Sequence, residues 1–484
     1  MNLAAAALAA ALAVAGCATL EPSARLESPV PALRDCAAWF RDLDARIDAA
    51  GVRDGQAARI TGYPYLRASR FLASFREAAQ RDDAARVALI ARMQALDLQA
   101  RRAEIGNLGD PPEELERARE CGTRLASADL ADAGARAQML DRVAVPDDYS
   151  TAMRGFGLYA LTQIPFSAGV RRYRSEVLAA HRLPLRMPEG ASLLTLSPAG
   201  GAPLARDEVA AILRRASEDP LGIPEPPEAA LAHMFETYAP IFEIEVAGDD
   251  DRPGALRWVE GRGTPFVDAA DPVVYRLAAW TRDGERSLLQ LVYVLWFPAR
   301  PPQSDGDLLS GALDGVVWRV TLAPDGEPLL YDTIHPCGCY HLFYPTPLVT
   351  PRPAPEDELE WMLAPQPLPR IAEGERVRVR IAARTHYVER VTPVSGPAAG
   401  ARYAMASYDA LRSLPLPGGG HRSLFASDGI VPGTERAERY WFWPMGISSA
   451  GAMRQWGREP TAFVGRQHFD DADLMAQRFV LAPR

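Results

Sequence analysis

The sequence predicts an α+β protein whose N-terminal part is helical and whose larger remainder is rich in antiparallel strands. Up to about residue 181, apolar residues recur at three- and four-residue spacing, which is typical of amphipathic helices. From residue 241 onward, short apolar runs alternate with polar residues and end at turns with glycine or proline, which indicates strands. The turn-rich stretch 183–204 separates the two patterns. We therefore expect an α-helical domain over residues 32–185 and a β-rich α+β domain over residues 186–484.

Helices are predicted at four places in the N-terminal part, and a fifth segment is expected to split. The first carries the stripe Leu33, Cys36, Phe40, Leu43 and Ile47. Others are predicted over residues 68–80, 83–105 and 113–130. Segment 149–181 should form two helices, because it contains glycines and Pro165, and proline interrupts helical hydrogen bonding.

Strands are predicted from alternation and from the turns between them. Residues 241–246 alternate between apolar and acidic side chains. Residues 273–281 and 288–297 flank a polar turn with Gly284, and residues 316–322 and 329–334 flank Asp325-Gly326, so each pair predicts a hairpin. A strand or strand pair is expected over residues 377–394, and a strand over residues 439–443.

The N-terminus has the features of an export signal. Residues 1–16 hold an apolar run of about a dozen residues, whereas a membrane span needs roughly 20. The run therefore predicts a cleaved signal peptide. Val14-Ala15-Gly16-Cys17 resembles the lipobox of bacterial lipoproteins. That resemblance implies a lipid on Cys17 after cleavage, residues 17–31 as lipidated cysteine and tether, and a protein held to a membrane of the cell envelope, facing the periplasm. Ala18 in place of Asp favours the outer membrane over the inner one.

Composition excludes several classes of function. The net charge of −9 argues against a nucleic-acid partner. All 53 basic residues are arginine, so the chain has no lysine for a P-loop or a Schiff base, and neither a nucleotide nor pyridoxal phosphate is expected. No Cys-x-x-Cys-His motif is present, so c-type haem is not expected.

Four cysteines remain besides Cys17, and export would place them in an oxidising compartment. Four cysteines allow three pairings. A Cys36–Cys121 disulfide is the favoured one, because both residues lie in predicted helices of the N-terminal half. Cys337 and Cys339 are then left to each other or to a metal ion.

One run carries the residues most suited to chemistry: His335-Pro336-Cys337-Gly338-Cys339-Tyr340-His341. Imidazole and thiolate are preferred ligands of zinc and copper. Because an extended run of this length spans ~20 Å, the chain must bend to bring its ligands to one ion, and Pro336 and Gly338 permit that bend. The sequence predicts a zinc or copper site formed by His335, Cys337, Cys339, His341 and, from a separate strand, His386. No catalytic residue is predicted.

Two other interpretations of the run stay open. Cys337 and Cys339 could form a strained disulfide, either structural or redox-active. Alternatively, both thiols could be buried as small apolar groups while the histidines bond backbone. These interpretations correspond to a non-catalytic envelope protein that binds a protein partner, or to a thiol–disulfide redox protein.

Several stretches across both halves resemble a group of proteobacterial lipoproteins of uncharacterised activity. They are Val14-Ala15-Gly16-Cys17, residues 62–67 (Gly-Tyr-Pro-Tyr-Leu-Arg), Trp296-Phe297-Pro298, the run 335–341 and residues 465–470 (Gly-Arg-Gln-His-Phe-Asp). The resemblance implies an exported lipoprotein and no particular reaction.

Overall fold

The structure is a computed structural model that describes residues 23–356, 358, 360–396 and 400–482. It confirms the predicted α+β class, with a helical N-terminal region followed by a sheet-rich region. The predicted signal peptide, Cys17 and the first part of the tether lie outside the described residues.

Helices dominate the chain up to residue 182. The α-helices are α1 (Pro31–Ala50), α2 (Arg70–Ala73), α3 (Arg76–Arg81), α4 (Asp83–Leu108), α5 (Glu113–Ala131), α6 (Ala133–Asp141), α7 (Thr151–Phe156), α8 (Tyr159–Arg182), α9 (Arg206–Ala216), α10 (Glu228–Tyr238), α11 (Arg439–Phe442) and α12 (Leu474–Arg478). Short 3-10 helices occupy Ala24–Glu27, Asp249–Asp251, Tyr408–Arg412 and Trp443–Met445.

Strands dominate the rest of the chain. They are β1 (Ala58–Ile60), β2 (Tyr63–Ala68), β3 (Ser192–Pro198), β4 (Ile241–Val246), β5 (Ala255–Arg257), β6 (Phe266–Asp268), β7 (Val273–Asp283), β8 (Arg286–Arg300), β9 (Gly311–Leu322), β10 (Pro328–Ile334), β11 (Leu342–Pro345), β12 (Val349–Pro351), β13 (Arg376–Ile381), β14 (Val388–Val394), β15 (Ala401–Ser407), β16 (Leu414–Pro415), β17 (His421–Arg422) and β18 (Phe479–Leu481).

Ten strands form one mixed sheet in the order β11-β10-β9-β8-β7-β15-β3-β4-β13-β14. Strands β7 to β11 are an antiparallel meander, and both hairpins predicted there are confirmed. The predicted pair within residues 377–394 is confirmed as β13 and β14. The pairs β7–β15, β15–β3 and β4–β13 are parallel. Antiparallel pairing therefore prevails but is not exclusive.

The middle of the sheet is covered on both faces, which explains the nearly continuous apolar sequence of β8. Tyr293 and Leu295 pack into a core shared with α8, α9 and α10, while Val294 and Trp296 pack into a second core built with residues 408–469. Alternate side chains of β8 thus pack into two different hydrophobic cores, one on each face of the sheet. Helix α8 joins the sheet core through Val177, and the domain boundary near residue 185 stays a prediction.

Helices α1, α4 and α5 pack around β1 and β2 in the N-terminal region. The predicted stripe of α1 is buried at Cys36, Phe40, Leu43 and Ile47. The predicted Cys36–Cys121 disulfide is confirmed, and it joins α1 to α5 across 85 residues of sequence.

Buried ion pairs join the helical region to the C-terminal part of the chain. The Asp54 carboxylate accepts hydrogen bonds from Nε and Nη2 of Arg412, both at 2.9 Å, and from Gln455 Nε2 at 2.8 Å. Nearby, Arg70 Nη1 donates to Asp470 Oδ1 at 2.9 Å and to the Gly457 carbonyl at 2.7 Å. These contacts fix the position of the helices against the sheet.

Two local predictions need correction. The helix break in segment 149–181 lies at Gly157 and Leu158, and Pro165 lies inside α8. A Cβ on Gly157 would lie 2.6 Å from Pro444 Cβ, so close packing places the break there. The predicted strand over residues 439–443 is wrong: the segment is helical, and Phe442 contacts Phe166 of α8 while the following 3-10 helix packs against α7 and α8.

Replacing both Cys36 and Cys121 by Ala should lower the free energy of unfolding by roughly 3–4 kcal/mol, because the bridge closes a long loop and restricts the unfolded chain. Urea unfolding with and without dithiothreitol measures this. The reductant should destabilise the natural protein and leave the double variant unchanged. An equal response of both proteins would contradict the assignment.

Candidate functional site

Residues 335–341 form the connection between β10 and β11, and this connection is tightly turned. The His335 amide donates to the Cys339 carbonyl at 3.0 Å, and the Gly338 amide donates to the His335 carbonyl at 2.9 Å. Gly338 has φ +84°, and a Cβ there would lie 2.1 Å from the Pro460 carbonyl oxygen. Only glycine fits both the backbone angle and this close approach. The chain therefore bends within the run, at the place that the sequence analysis required.

Two of the predicted ligands, His335 and His386, meet at one carboxylate. His335 Nδ1 lies 3.1 Å from Asp314 Oδ1, and His386 Nδ1 lies 2.9 Å from Asp314 Oδ2. On its other side, His386 Nε2 lies 3.4 Å from Asp251 Oδ1. We call Asp251, His386, Asp314 and His335 the Asp314 centre. All four side chains are buried.

Three separate segments position the Asp314 centre against the end of β8. Asp314 lies on β9 opposite Phe297 of β8, and the Phe297 ring stacks on His386 with ring centroids 3.9 Å apart. His386 lies in the tight turn between β13 and β14 with φ +54°. Asp251 ends the 3-10 helix that follows β4. The centre thus joins strands that are far apart in sequence.

Burial and neighbouring charges shift the pKa values of the groups in the Asp314 centre in different directions. Burial opposes ionisation of Asp314, but His335 and Arg436 outweigh it and hold the pKa of Asp314 well below its usual value. Burial lowers the pKa of His335, and Asp314 does not compensate fully. Burial likewise opposes a charge on His386, yet the nearby carboxylates of Asp251 and Asp314 raise the pKa of His386 above its usual value. These directions favour a protonated His386 between the two carboxylates and a neutral His335.

His341 belongs to a different cluster. His341 Nε2 lies 2.8 Å from Asp332 Oδ2, and Arg319 donates to both oxygens of the same carboxylate, at 2.9 and 2.5 Å. Burial lowers the pKa of His341 despite its hydrogen bond to Asp332. His341 therefore bonds to a carboxylate other than the one shared by His335 and His386.

Cys337 and Cys339 are buried and carry free thiols, and the Cys339 thiol donates to the Cys337 backbone carbonyl at 4.0 Å. The contact with Cys337 and burial raise the pKa of Cys339 well above its usual value. A buried neutral thiol is a poor nucleophile, because the thiolate is the reactive form.

The five predicted metal ligands thus fall into three sets: the histidines of the Asp314 centre, the thiol pair, and His341. Among the residues that the structure describes, no group of three or more His, Cys, Asp and Glu side chains is arranged to hold a metal ion. Metal binding by this run would require the loop to rearrange, and it stays a prediction.

Two charged residues beside the Asp314 centre, Arg436 and Glu438, were not predicted from the sequence. Arg436 is buried; its Nη2 donates to the Leu313 carbonyl at 3.0 Å, while Nε and Nη1 have no hydrogen-bond partner. Burial raises the pKa of Glu438 to about 7, against the opposing effect of Arg436 and Arg300. A possible signal was the isolated Asp314 within the apolar start of β9, because a buried acid requires partners.

A large cleft lies between the helical region and the sheet, along α4 on one side and β7 on the other. Its volume is about 740 Å³, within the range of small-molecule sites. The apolar lining includes Phe71, whose ring stacks on Trp280 at 5.9 Å, together with Leu96, Leu231 and Phe235. We call it the α4–β7 cleft.

Ion pairs surround the α4–β7 cleft. Arg92 pairs with Asp219 and Glu225, in each case at 2.6 Å. Arg276 pairs with Glu228 at 2.9 Å. The cleft therefore offers an apolar surface bordered by neutralised charges of both signs, which suits a ligand with an apolar body and a polar end.

No protein-family model, curated protein or solved structure matches this chain. Within the described ranges, no helix combines the length and the apolar character needed to cross a membrane.

Replacing His386 by Asn should destabilise the protein more at pH 6 than at pH 9. Because its folded pKa is raised, His386 contributes its full stabilisation below its unfolded pKa of about 6.5, and this fades as the pH rises through the folded value. We expect a loss of about 3 kcal/mol at pH 6, as for breaking a buried ion pair. Asn tolerates the positive φ.

Urea unfolding at both pH values measures the effect. His421→Asn is the matched control, since His421 is exposed, and it should change stability little at either pH. A loss from His386→Asn that is the same at pH 6 and pH 9 would show that His386 is not the buried cation.

Proposed function

We propose that the protein is a lipid-anchored component of the cell envelope that binds an apolar or amphiphilic small molecule in the α4–β7 cleft. The observation that carries the proposal is the cleft itself: about 740 Å³, an apolar lining around Trp280, and arginine–carboxylate pairs at its edge. Anchoring rests on the lipobox-like Val14-Ala15-Gly16-Cys17, and residence on the periplasmic side, at the outer membrane, is part of the same proposal.

The cleft is suited to binding because its walls are already held in place. The Asp54–Arg412 and Arg70–Asp470 pairs attach the helices to the rest of the chain. Trp280 is oriented by a 2.7 Å hydrogen bond from its Nε1 to the Pro224 carbonyl. A site with fixed walls loses little conformational entropy when a ligand enters.

Filling the cleft should abolish ligand binding. Ala95 lines the cleft from α4, and Ala95→Trp would place an indole in the space. We expect the affinity for N-phenyl-1-naphthylamine, a neutral apolar fluorescent probe, to fall at least tenfold. Ala84→Trp is the matched control, because Ala84 is exposed on the same helix outside the cleft. Equal affinities of the two variants, or no probe binding by the natural protein, would refute binding in the cleft.

The second candidate function is metal or redox chemistry at residues 335–341. The placement of two free thiols, Cys337 and Cys339, in one tight turn favours it, because a rearrangement of the loop would let the pair bind zinc or copper, or oxidise to a disulfide. If the pair is only a structural disulfide, the protein is better described as a non-catalytic envelope protein with a protein partner.

Elemental mass spectrometry and thiol titration on protein purified from the periplasmic side distinguish these cases. A metal site predicts near one zinc or copper per chain, lost in His335→Ala and in Cys337→Ala but kept in His421→Ala. Redox chemistry predicts no metal and two thiols that appear only after reduction, with a potential above that of structural bridges. Two free thiols without metal would contradict both.

A further inference from the structure

Helices α7 and α8 and the segment around α11 expose a patch of large apolar side chains. Phe156, Leu158, Leu161 and Ile164 are 76%, 61%, 64% and 61% exposed, and Tyr440 and Trp441 are 67% and 64% exposed. Leu161 and Ile164 are three residues apart on α8, so they lie on one side of the helix. We call these six residues the aromatic patch.

The two segments that form the aromatic patch are packed together. The Phe166 ring contacts the Phe442 ring at 5.5 Å, and Arg154 Nη1 donates to the Met445 carbonyl at 2.9 Å. The Ser150 amide donates to the Gly446 carbonyl at 2.7 Å. The patch is therefore part of one rigid surface rather than two unrelated loops.

The charge around the aromatic patch differs from that of the whole chain. The protein has 62 acidic and 53 basic residues, yet residues 151–175 and 439–458 contain no Asp or Glu. The charged residues of these two stretches are all arginine, among them Arg154, Arg171, Arg172 and Arg439. Arg172 is paired with Glu176, but Arg154, Arg171 and Arg439 form no ion pair with another described residue. The surface beside the patch therefore carries unpaired positive charge, which is complementary to anionic lipid headgroups.

We propose that the aromatic patch lies on the membrane surface, as a second contact beside the lipid on Cys17. Trp and Tyr side chains favour the boundary between headgroups and acyl chains, and neighbouring arginines bind lipid phosphates. The inference rests on the proposed anchor in one respect. Ser23, the first described residue, follows Cys17 by six positions, so the anchor would keep Ser23 within ~20 Å of the bilayer.

Quenching by brominated lipid tests this contact. The full protein is purified from host membranes, the lipid on Cys17 is verified by mass spectrometry, and the protein is reconstituted into phosphatidylethanolamine–phosphatidylglycerol vesicles with bromine on some acyl chains. We expect tryptophan fluorescence to be quenched. Replacing Trp441 and Trp443 by Phe should remove most of the quenching while the surface stays apolar. Trp280→Phe, which alters the α4–β7 cleft instead, should leave the quenching in place.

A second pair of variants tests the apolar side chains. Leu161→Ser combined with Ile164→Ser should reduce quenching several-fold, whereas Val87→Ser combined with Val480→Ser, two exposed valines elsewhere, should not. Exchanging phosphatidylglycerol for phosphatidylcholine should also weaken the quenching in the natural protein, because it removes the anionic headgroups. Lipidated protein without quenching, or with the same quenching in all variants, overturns the proposal.

Two further outcomes are distinguishable. If sedimentation shows a dimer that Leu161→Ser with Ile164→Ser dissociates, and no quenching occurs, a second copy covers the patch and the membrane proposal is wrong. If Cys17 carries no lipid, the proposed anchor is wrong. The patch is then tested by cosedimentation of the same protein with the vesicles, where binding lost in the Leu161 and Ile164 variant supports the contact and no binding overturns it.

Discussion

The buried Asp54–Arg412 pair is the contact on which the arrangement of the two parts of this protein depends. Both nitrogen–oxygen distances are 2.9 Å, and Gln455 donates to the same carboxylate. The Asp54 amide donates to Glu104, which also pairs with Arg67. The backbone and side chain of Asp54 together thus link β2 and α4 to the segment after β15 and to the C-terminal region. A planar guanidinium suits such bidentate pairing, and lysine does not occur in the chain.

The α4–β7 cleft follows from this docking. The ion pairs hold the helical region against the sheet-rich region without closing the space between α4 and β7, and this space is the cleft. Within its apolar lining, the rings of Phe71 and Trp280 stack on each other and so join α2 to β7. The Asp314 centre has a different origin: it forms inside the sheet-rich part, where β8, β9 and the β13–β14 turn converge. The proposed binding cleft and the buried polar groups of the Asp314 centre therefore lie in separate regions.

Local sequence patterns predicted much of the fold, because each depended on neighbouring residues. The alternation in β4, the turns of the β7–β8 and β9–β10 hairpins and the stripe of α1 are examples. The parallel pairing of β15 with β3 and β7 could not be predicted, since it joins strands about 130 and more than 200 residues apart. The aromatic side chains within residues 439–443 suggested a strand by propensity, but the segment is helical and only its end, Phe442 and the 3-10 helix that follows, packs against α7 and α8.

At the candidate site, residue types were easier to predict than their partners. The bend at Pro336 and Gly338 followed from chain geometry. That His335 and His386 share Asp314, while His341 bonds Asp332, depends on which strand edges meet, and spacing within the run contains no such information. Arg436 was unrecognisable for the same reason: only the folded chain brings it beside Leu313 and Asp314.

The loop 335–341 is held in place by residues that come much later in the chain. The Arg454 amide donates to the Pro336 carbonyl, the Ala462 amide donates to the Gly338 carbonyl, and Gly338 packs against Pro460. Because the chain is synthesised from the N-terminus, Cys36 and Cys121 can meet before Cys337 and Cys339 have been made. The order of emergence thus protects the first pair from mispairing, and the later thiols become shielded only when nearly the whole polypeptide has arrived.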